Sequence, residues 1–580
     1  MRKPETVCAW SGLVVVALAL GGCLTQEEWN RLWEKDKGAQ PEPTPRLISK
    51  TQATAGTVGE LVTVDGLRLQ QVRGFGLVVD LVDTGGSDGP DMVRKHILKE
   101  IRRRQQPGDP DVLSSDLLKG RDTALVEVRG LIPAAAEKGR PFDVVVRALG
   151  TQTTSLAGGR LFLCDLKPFA ETVDAVLGGK TIATASGPIF ISPIGLEKEI
   201  PEQIDLRTGL VLGGGAVTQP RNIRLVLNEP SPSVATRIVD RLNSQFSKSE
   251  PIASGRSFST IDLTIPPEYR GRTRLFIEHV LHTSLNANPA ALEQRARDLA
   301  QEATHPDAEF ESIGAAWEAI GRTVLPTVKK LYQHSLPAAS FYAARTGLRL
   351  GDNEGMEIVA RHALDPASPF RLQAIEELGD ATRMHGAGEC LRKLLDDEDS
   401  SIRLRAYKAL RKRPHPAIKT SVLFDDNLVL DIVDSRGPYL VYVQRSLAPR
   451  VALFGGNMTA RPPAIYPGER RDNRLLLTQI NAAEEATEFT VIRRNKHTGK
   501  ISPKLSAPFN VPDFVRFLGD SPTKSDDGDL TGLAIPYDEI VDILHTFCEA
   551  GTIPAEFHAE DLTGQETSIE VSRERKESEY

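Results

Sequence analysis

Cysteine is scarce in this chain of 580 residues, with five, at positions 8, 23, 164, 390 and 548. None falls in a CxxC pair, so a zinc ribbon or a thioredoxin-type site is excluded. Aromatic residues make up 6%, too few for a surface that stacks carbohydrate or single-stranded nucleic acid. Positive charge is not in excess either. Lys and Arg number 71 against 78 Asp and Glu, a net charge of −7, whereas a nucleic-acid partner normally leaves a basic footprint. Long apolar runs are missing as well. The run near the N-terminus, Leu13 to Leu20, has eight residues, and a helix of that length spans about 12 Å of a hydrocarbon core about 30 Å thick. What is present, 40% hydrophobic and 26% charged residues, is ordinary for folded chains and allows about three or four domains.

The N-terminal run has a purpose other than spanning. Arg2 and Lys3 give it a basic start, and it ends in Leu20-Gly21-Gly22-Cys23. That ending resembles a bacterial lipobox. The resemblance implies an export signal over residues 1–22, cleavage before Cys23, and lipid on the Cys23 sulfur and its new amine. Two or more acyl chains hold a protein on a membrane where one is marginal, and Leu24 after the cysteine points to the outer membrane by analogy. An ordinary secretory signal with an incidental cysteine is the alternative. Residues 23–57 read as a tether: Glu27 to Lys37 can form a short helix with Trp29, Leu32 and Trp33 on one side, and PEPTP at 41–45 enforces extended chain. Cys164, Cys390 and Cys548 lie in strand-like or helix-like stretches and read as buried thiols, one disulfide remaining possible in an oxidising envelope.

From Val58 to residue 287 the pattern is α+β. DTALVEVRG at 122–130 and FDVVVRALG at 142–150 read as strands, as do RNIRLVLN at 221–228 and STIDLTIP at 259–266. Between the last two, Ser231-Pro232-Ser233 offers a helix cap. Val234, Ile238 and Leu242 then recur every four residues on one apolar face.

Residues 288–415 turn Ala-, Leu- and charge-rich with helical periodicity. A small-to-branched pair recurs at Ala316–Ile320, Ala344–Leu348, Ala374–Leu378 and Ala406–Leu410, at intervals of 28, 30 and 32 residues. In the last two copies Leu364-Asp365 aligns with Leu395-Asp396, and Phe370-Arg371 with Ile402-Arg403. This pattern resembles HEAT repeats, helix pairs that stack because none can bury its apolar face alone. An irregular helical bundle is the alternative. From 416 to 560 strands return at 427–434, 439–444 and 451–454, with a hairpin around His497-Thr498-Gly499 and helices at 512–518 and 536–550. Residues 561–580 are dense in charge and read as a disordered tail. The fold class expected is therefore an α+β N-terminal region, an all-α HEAT-like region and an α+β C-terminal domain.

Four stretches of the first region, in order, carry a more specific resemblance: VRGFGLVVDLVDTGGSDG at 72–89, ALVEVRGLIPAAAEKGRPFDVVVRALGTQTTSLAGGRLFLCDLKP at 124–168, LVLGGGAVTQPRNIRLVLNEPSPSVATRIVDRLN at 210–243, and TIDLTIPPEYRGRTRLFIEHV at 260–280. Together they resemble the flagellar P-ring protein family. The resemblance implies an exported periplasmic subunit that self-associates side by side into a closed ring around the flagellar rod, near peptidoglycan and the outer-ring proteins, with no active site. A closed ring needs heterologous contacts whose rotation closes. The lipobox cysteine, the stretch 169–199 and everything after 288 depart from the family pattern.

The remaining motifs offer little chemistry. Asp83 to Gly89 follows a strand as a nucleotide loop would, but it lacks the Lys-Ser/Thr of a P-loop, and its aspartates repel phosphate. Gly213-Gly214-Gly215 is expected just before a strand, with no helix N-terminus to receive an anion. His279 and His282 can share a helix face, with no acidic or cysteine partner at metal spacing nearby, and two ligands rarely suffice. Ser155 and Ser192 lack a nearby base, and Asp396 and Asp397 belong to a helical turn. Lys99 to Arg104 (KEIRRR) is the densest basic patch, read as a solvated helix face, or as a contact for anionic lipid, cell-wall polymer or a neighbouring subunit. No residue is assigned a cofactor, metal or catalytic role, and Cys23 is the one modification site. Three functions follow: a P-ring-like component of the flagellar basal body; an envelope lipoprotein scaffold that reuses the same module with HEAT-like repeats to bind proteins; or an enzyme with an unrecognised site in the C-terminal domain.

Overall fold

The computed structural model describes residues 52–86, 88–104, 120–170, 176, 178–192, 205–423, 428–461, 465–466, 475–478, 488–493, 505–523 and 532–560. The export signal, Cys23, the turn at 497–499 and the tail at 561–580 lie outside them. So does the expected tether up to residue 51. Its last residues are not extended chain: Gln52–Thr54 form a helical turn, and Ala53 is buried in the core of the helical middle region. The Arg295 guanidinium clamps this entry, donating to the carbonyls of Ala53 and Ala55 at 2.6 Å each.

The first two strands, β1 (Val62–Asp65) and β2 (Gln70–Val79), separate at once into different sheets. β2 joins β3 (Ala124–Ile132), β4 (Pro141–Ala148), β5 (Arg160–Pro168), β6 (Ala183–Pro188) and β7 (Thr208–Val217) in a closed barrel of order β2-β3-β4-β7-β6-β5. Closure leaves no strand edge to aggregate. Alternation in β4 sends Phe142, Val144, Val146 and Ala148 inward, where they meet Val72, Val126, Leu161 and Val211. Helix α1 (Asp91–Arg104) lies outside the barrel, with Val93 and Ile97 packed on Phe75, Leu77 and Leu125.

β1 pairs with β8 (Ile223–Leu227), which pairs with β10 (Thr260–Leu263), which pairs with β9 (Ala253–Gly255), all antiparallel. Helix α2 (Pro232–Phe246) starts at the anticipated cap, where the Ser231 hydroxyl accepts from the Val234 amide at 3.5 Å. Its Ile238 and Leu242, with Phe276 and Val280 of α3 (Thr273–His282), cover one face of this sheet.

The middle region is helical: α4 (Pro289–Glu302), α5 (Phe310–Ile320), α6 (Pro337–Arg349), α7 (Asn353–Leu364), α8 (Arg371–Asp380), α9 (His385–Leu394) and α10 (Ser400–Leu410). The four recurring pairs fall on α5, α6, α8 and α10. Seven of their eight residues are buried, and Ile320 is partly so. The copies differ in detail, since Leu364 is 41% exposed and its counterpart Leu395 is buried.

The C-terminal region has a five-stranded sheet of order β11 (Ile418–Leu423), β12 (Leu428–Val433), β14 (Arg450–Phe454), β13 (Leu440–Gln444), β19 (Glu556–Ala559). A second sheet has β15 (Ile465–Tyr466), β16 (Leu475–Thr478), β17 (Glu488–Arg493) and β18 (Leu505–Pro508). Helices α11 (Val511–Gly519) and α12 (Tyr537–Glu549) share one core with both.

Candidate functional site

Besides the Arg295 clamp, two seams join the residues up to His282 to the rest of the chain, and they hold most of the unusual chemistry. The first is ionic. α3 packs on α5, bringing His279 to Glu318, 39 residues away, with Nε2 2.7 Å from the carboxylate. The Tyr269 hydroxyl lies 3.0 Å from Nδ1. Donation by the phenol to Nδ1, and by Nε2–H to Glu318, satisfies all three groups. Glu318 also accepts from Arg349 at 2.8 Å, and Arg349 forks onto Glu377 of α8, with Nε at 2.8 Å. Arg345, buried on α6, donates to Glu311 at 2.6 Å.

Burial alone would push Glu318 up. Arg349, the His279 hydrogen bond and Arg345 outweigh it and hold the carboxyl well below its ordinary range. Burial, with the charges of Glu318 and Glu268, pushes the Tyr269 phenol up to about 12. Next to the network, His282 is driven down to about 4 by burial, against the opposing effect of its bond to the Glu278 carbonyl. Every charge in this seam is answered by another, an arrangement that fixes helices in place.

The second seam is steric. In β7 the register against β4 shifts between Phe142 and Val144, so that Gly213 and Gly214 form a bulge. The bulge presents Gly213, at φ +60°, to Leu447, itself at φ 56°. A Cβ on Gly213 would lie 2.4 Å from the Leu447 carbonyl oxygen. Asp143 Oδ1 accepts from both amides, Gly213 at 2.6 Å and Leu447 at 2.8 Å. Burial raises the Asp143 pKa despite these donors. Phe190, from the segment after β6, sits in the C-terminal core 5.5 Å from the Tyr537 ring.

The motifs singled out in the sequence sort accordingly. Gly213-Gly214-Gly215 was expected ahead of a strand and instead lies inside β7, because the bulge needs residues without side chains on both sides: Gly215 faces the Phe142 ring at 2.6 Å from a hypothetical Cβ. The Asp83–Gly89 loop does lead from strand to helix. Its space is taken by the protein: the Asp88 carboxylate accepts from the Thr151 hydroxyl at 2.9 Å and the Gln152 amide at 3.1 Å. His279 and His282 are packed, not solvated, and their acidic partner comes from another helix. Ser155 accepts from the Ala157 amide within a turn, and Ser192 meets Arg445 at 3.3 Å across the second seam. Asp397 takes an ion pair from Arg371, and Asp396 accepts from the Arg436 amide at 2.7 Å. No described cysteine forms a disulfide, and burial pushes the Cys390 thiol up to about 11 and Cys548 to about 12. Among the described residues no group of three or more His, Cys, Asp or Glu could hold a metal ion. No described helix is long and apolar enough to cross a membrane.

The ionic seam was missed in the sequence. Its signal was there: Glu318 set among the apolar residues of the helix FESIGAAWEAI, and Arg345 and Arg349 in PAASFYAARTGLR. A charge on an apolar face demands a partner.

Comparison with known proteins falls on the barrel and its companion sheet. Residues 57–293 match the profile of the family described as flagellar P-ring protein. The flagellar P-ring protein of Oleidesulfovibrio alaskensis is 27% identical over 235 residues, 39% of this chain and 59% of the relative. That of Geobacter sulfurreducens is 26% identical over 344 residues, 58% of this chain and 90% of the relative, so this alignment runs beyond the matched stretch. That of Methylobacillus flagellatus is 31% identical over 215 residues, 34% and 54%. The chain thus spans little more than half of the first and third of these relatives. Residues 57–293 are thus similar to the flagellar P-ring protein family, and the two seams bind them to a helical region and a C-terminal sheet region that the family profile does not cover.

Proposed function

We propose that this protein is a structural subunit of the bacterial flagellar basal body, assembling with its own copies into a ring around the rod. One observation carries the reading: the family match covers a whole closed barrel with its covered sheet, and its glycines fall where backbones approach closely. The relatives bear the flagellar name, which favours this reading over the envelope scaffold. The charged groups of the ionic seam are paired with one another, and Asp143 receives both amides of the other, as suits a part that holds shape rather than one that turns over substrate. On this reading the helical region is a HEAT-like stack, and Cys23 is lipidated after export to the periplasm. The lipid would tether the subunit to a membrane, the outer one by analogy, within reach of rod and outer-ring proteins and of peptidoglycan.

Basal bodies purified from the source cells should contain this protein as part of a ring visible by negative-stain microscopy. Absence from them, together with a strictly monomeric full-length chain at high concentration, would end the ring reading. Mass spectrometry of the mature protein should find an acylated Cys23 and no residues 1–22, and an N-terminal Leu24 would refute the lipid anchor.

A further inference from the structure

The basic stretch on α1 has no part in either seam. Met92, Lys95, Lys99 and Arg102 recur at spacings of three and four and are all exposed, forming one solvent-facing stripe opposite buried Val93 and Ile97. Beside the stripe, β5 does something unusual. Its register against β6 shifts between Leu161 and Cys164, which both point into the barrel. The bulge leaves two consecutive large apolar side chains outside, Phe162 at 44% and Leu163 at 41% exposure, and Met92 on the stripe is 44% exposed. Bulges re-aim side chains and are retained features of a fold rather than defects. Phe162, Leu163 and Asp165 border a shallow groove whose other wall is His96, Ile97, Glu100 and Ile101 of α1. Arg103 ties the two walls together through Asp165 at 3.1 Å and Glu100 at 2.7 Å.

We propose that this α1–β5 face docks onto an anionic phospholipid surface. Charge complementarity identifies the partner. On a chain of net charge −7, the stripe gathers Lys95, Lys99 and Arg102, with Asp91 the exposed acid at its N-terminal end, a net positive face that suits phosphate headgroups. The apolar residues decide between anionic partners. A hydrated polymer such as peptidoglycan offers carboxylates but nothing to receive Phe162, Leu163 and Met92, whereas the headgroup–acyl boundary receives both kinds of side chain. The face does not depend on Cys23. It would orient the barrel against a membrane that the lipid alone only keeps nearby.

The test uses the full mature chain carrying Cys23→Ser, so that no acyl chain contributes. Sedimentation is measured with vesicles of pure phosphatidylcholine and with vesicles containing phosphatidylglycerol. Binding is expected to the anionic vesicles only, to weaken as salt rises, and to fall about fivefold for each of Lys95→Gln and Lys99→Gln, the worth of one basic residue near such a surface. Phe162→Ser with Leu163→Ser should weaken it further at unchanged salt dependence. These positions are exposed, so an unchanged thermal midpoint checks that each variant folds. No binding to anionic vesicles at low salt, or binding that ignores all four substitutions, overturns the proposal. Loss of self-association without vesicles in these variants also overturns it, assigning the face to a second copy. Either failure leaves the ring reading and the lipid anchor to their own tests.

Discussion

The two seams attach the same pair of regions by opposite means. Where α3 meets α5, buried charges face one another across four helices: His279, Glu318, Arg349 and Glu377. Where β7 meets Leu447, two backbones touch because a side chain is missing, and one carboxylate receives both amides. The contrast teaches that proton concentration can act on one seam with far more force than on the other, while a single methyl group at Gly213 strikes backbone only at the second. Protonation even works in opposite senses. Glu318 is held low and His282 is driven down to about 4, whereas Asp143 is raised.

The sharpest attack on this comparison is Glu318→Gln. It removes the charge and keeps the shape, leaving Arg349 and Arg345 buried with less to answer them, and should cost about 3–5 kcal/mol of stability. Urea unfolding of the full chain reads it; a loss below about 1 kcal/mol would mean that the seam is not held by charge. Next in size is acid. A group whose folded pKa is depressed stabilises the fold above its unfolded pKa and loses that contribution as pH falls through the folded value. For His282 the window runs from its ordinary 6.5 down to about 4, worth about 3 kcal/mol at 1.36 kcal/mol per pH unit. Glu318 extends the loss below its ordinary 4.5. Asp143, raised, is stabilising below its ordinary 3.8 and loses that contribution as pH rises through its folded value. Hydrogen exchange between pH 6.5 and 4 should therefore loosen α3 and α5 before Leu440–Phe454. Simultaneous loosening of both would erase the distinction.

Gly213→Ala strikes the other seam. A left-handed backbone with a side chain costs about 1–2 kcal/mol before the overlap with Leu447 is counted, and exchange should rise around Leu447 and not around His279. Arg405→Ala is the small effect. It removes an exposed pair with Glu376 and should change stability by under about 0.5 kcal/mol, fixing the scale against which the first three are read.

Much of this was legible in the chain. The cap at Ser231, the face Ile238–Leu242 and the inward pairs on α5, α6, α8 and α10 were readable because each follows from spacing within one element. Barrel closure was not, since strand alternation says which residues point inward but not that β5 returns to β2. The Gly213 bulge inside β7 was not legible for the same reason: its cause, Leu447, is 234 residues away. The ionic seam escaped because a charge in a helix does not name its partner. The first region was also read as one α+β unit, whereas the barrel and the four-stranded sheet have separate cores. That matters for truncation, because removing residues after 288 would bare Phe190 and the side of α3 that meets α5.

The clamp at Ala53 gives the molecule a load path. The chain enters the fold through Arg295 and the core around Trp317, not through the barrel. A pull on the N-terminal segment is therefore delivered first to the helices. From there the chain runs on into β1 of the four-stranded sheet and only then into the barrel at β2, while the Glu318 network and the Gly213 contact tie the same two halves together elsewhere. Force on the N-terminal segment is thus shared between the covalent route and both seams, and no strand of the barrel meets it first.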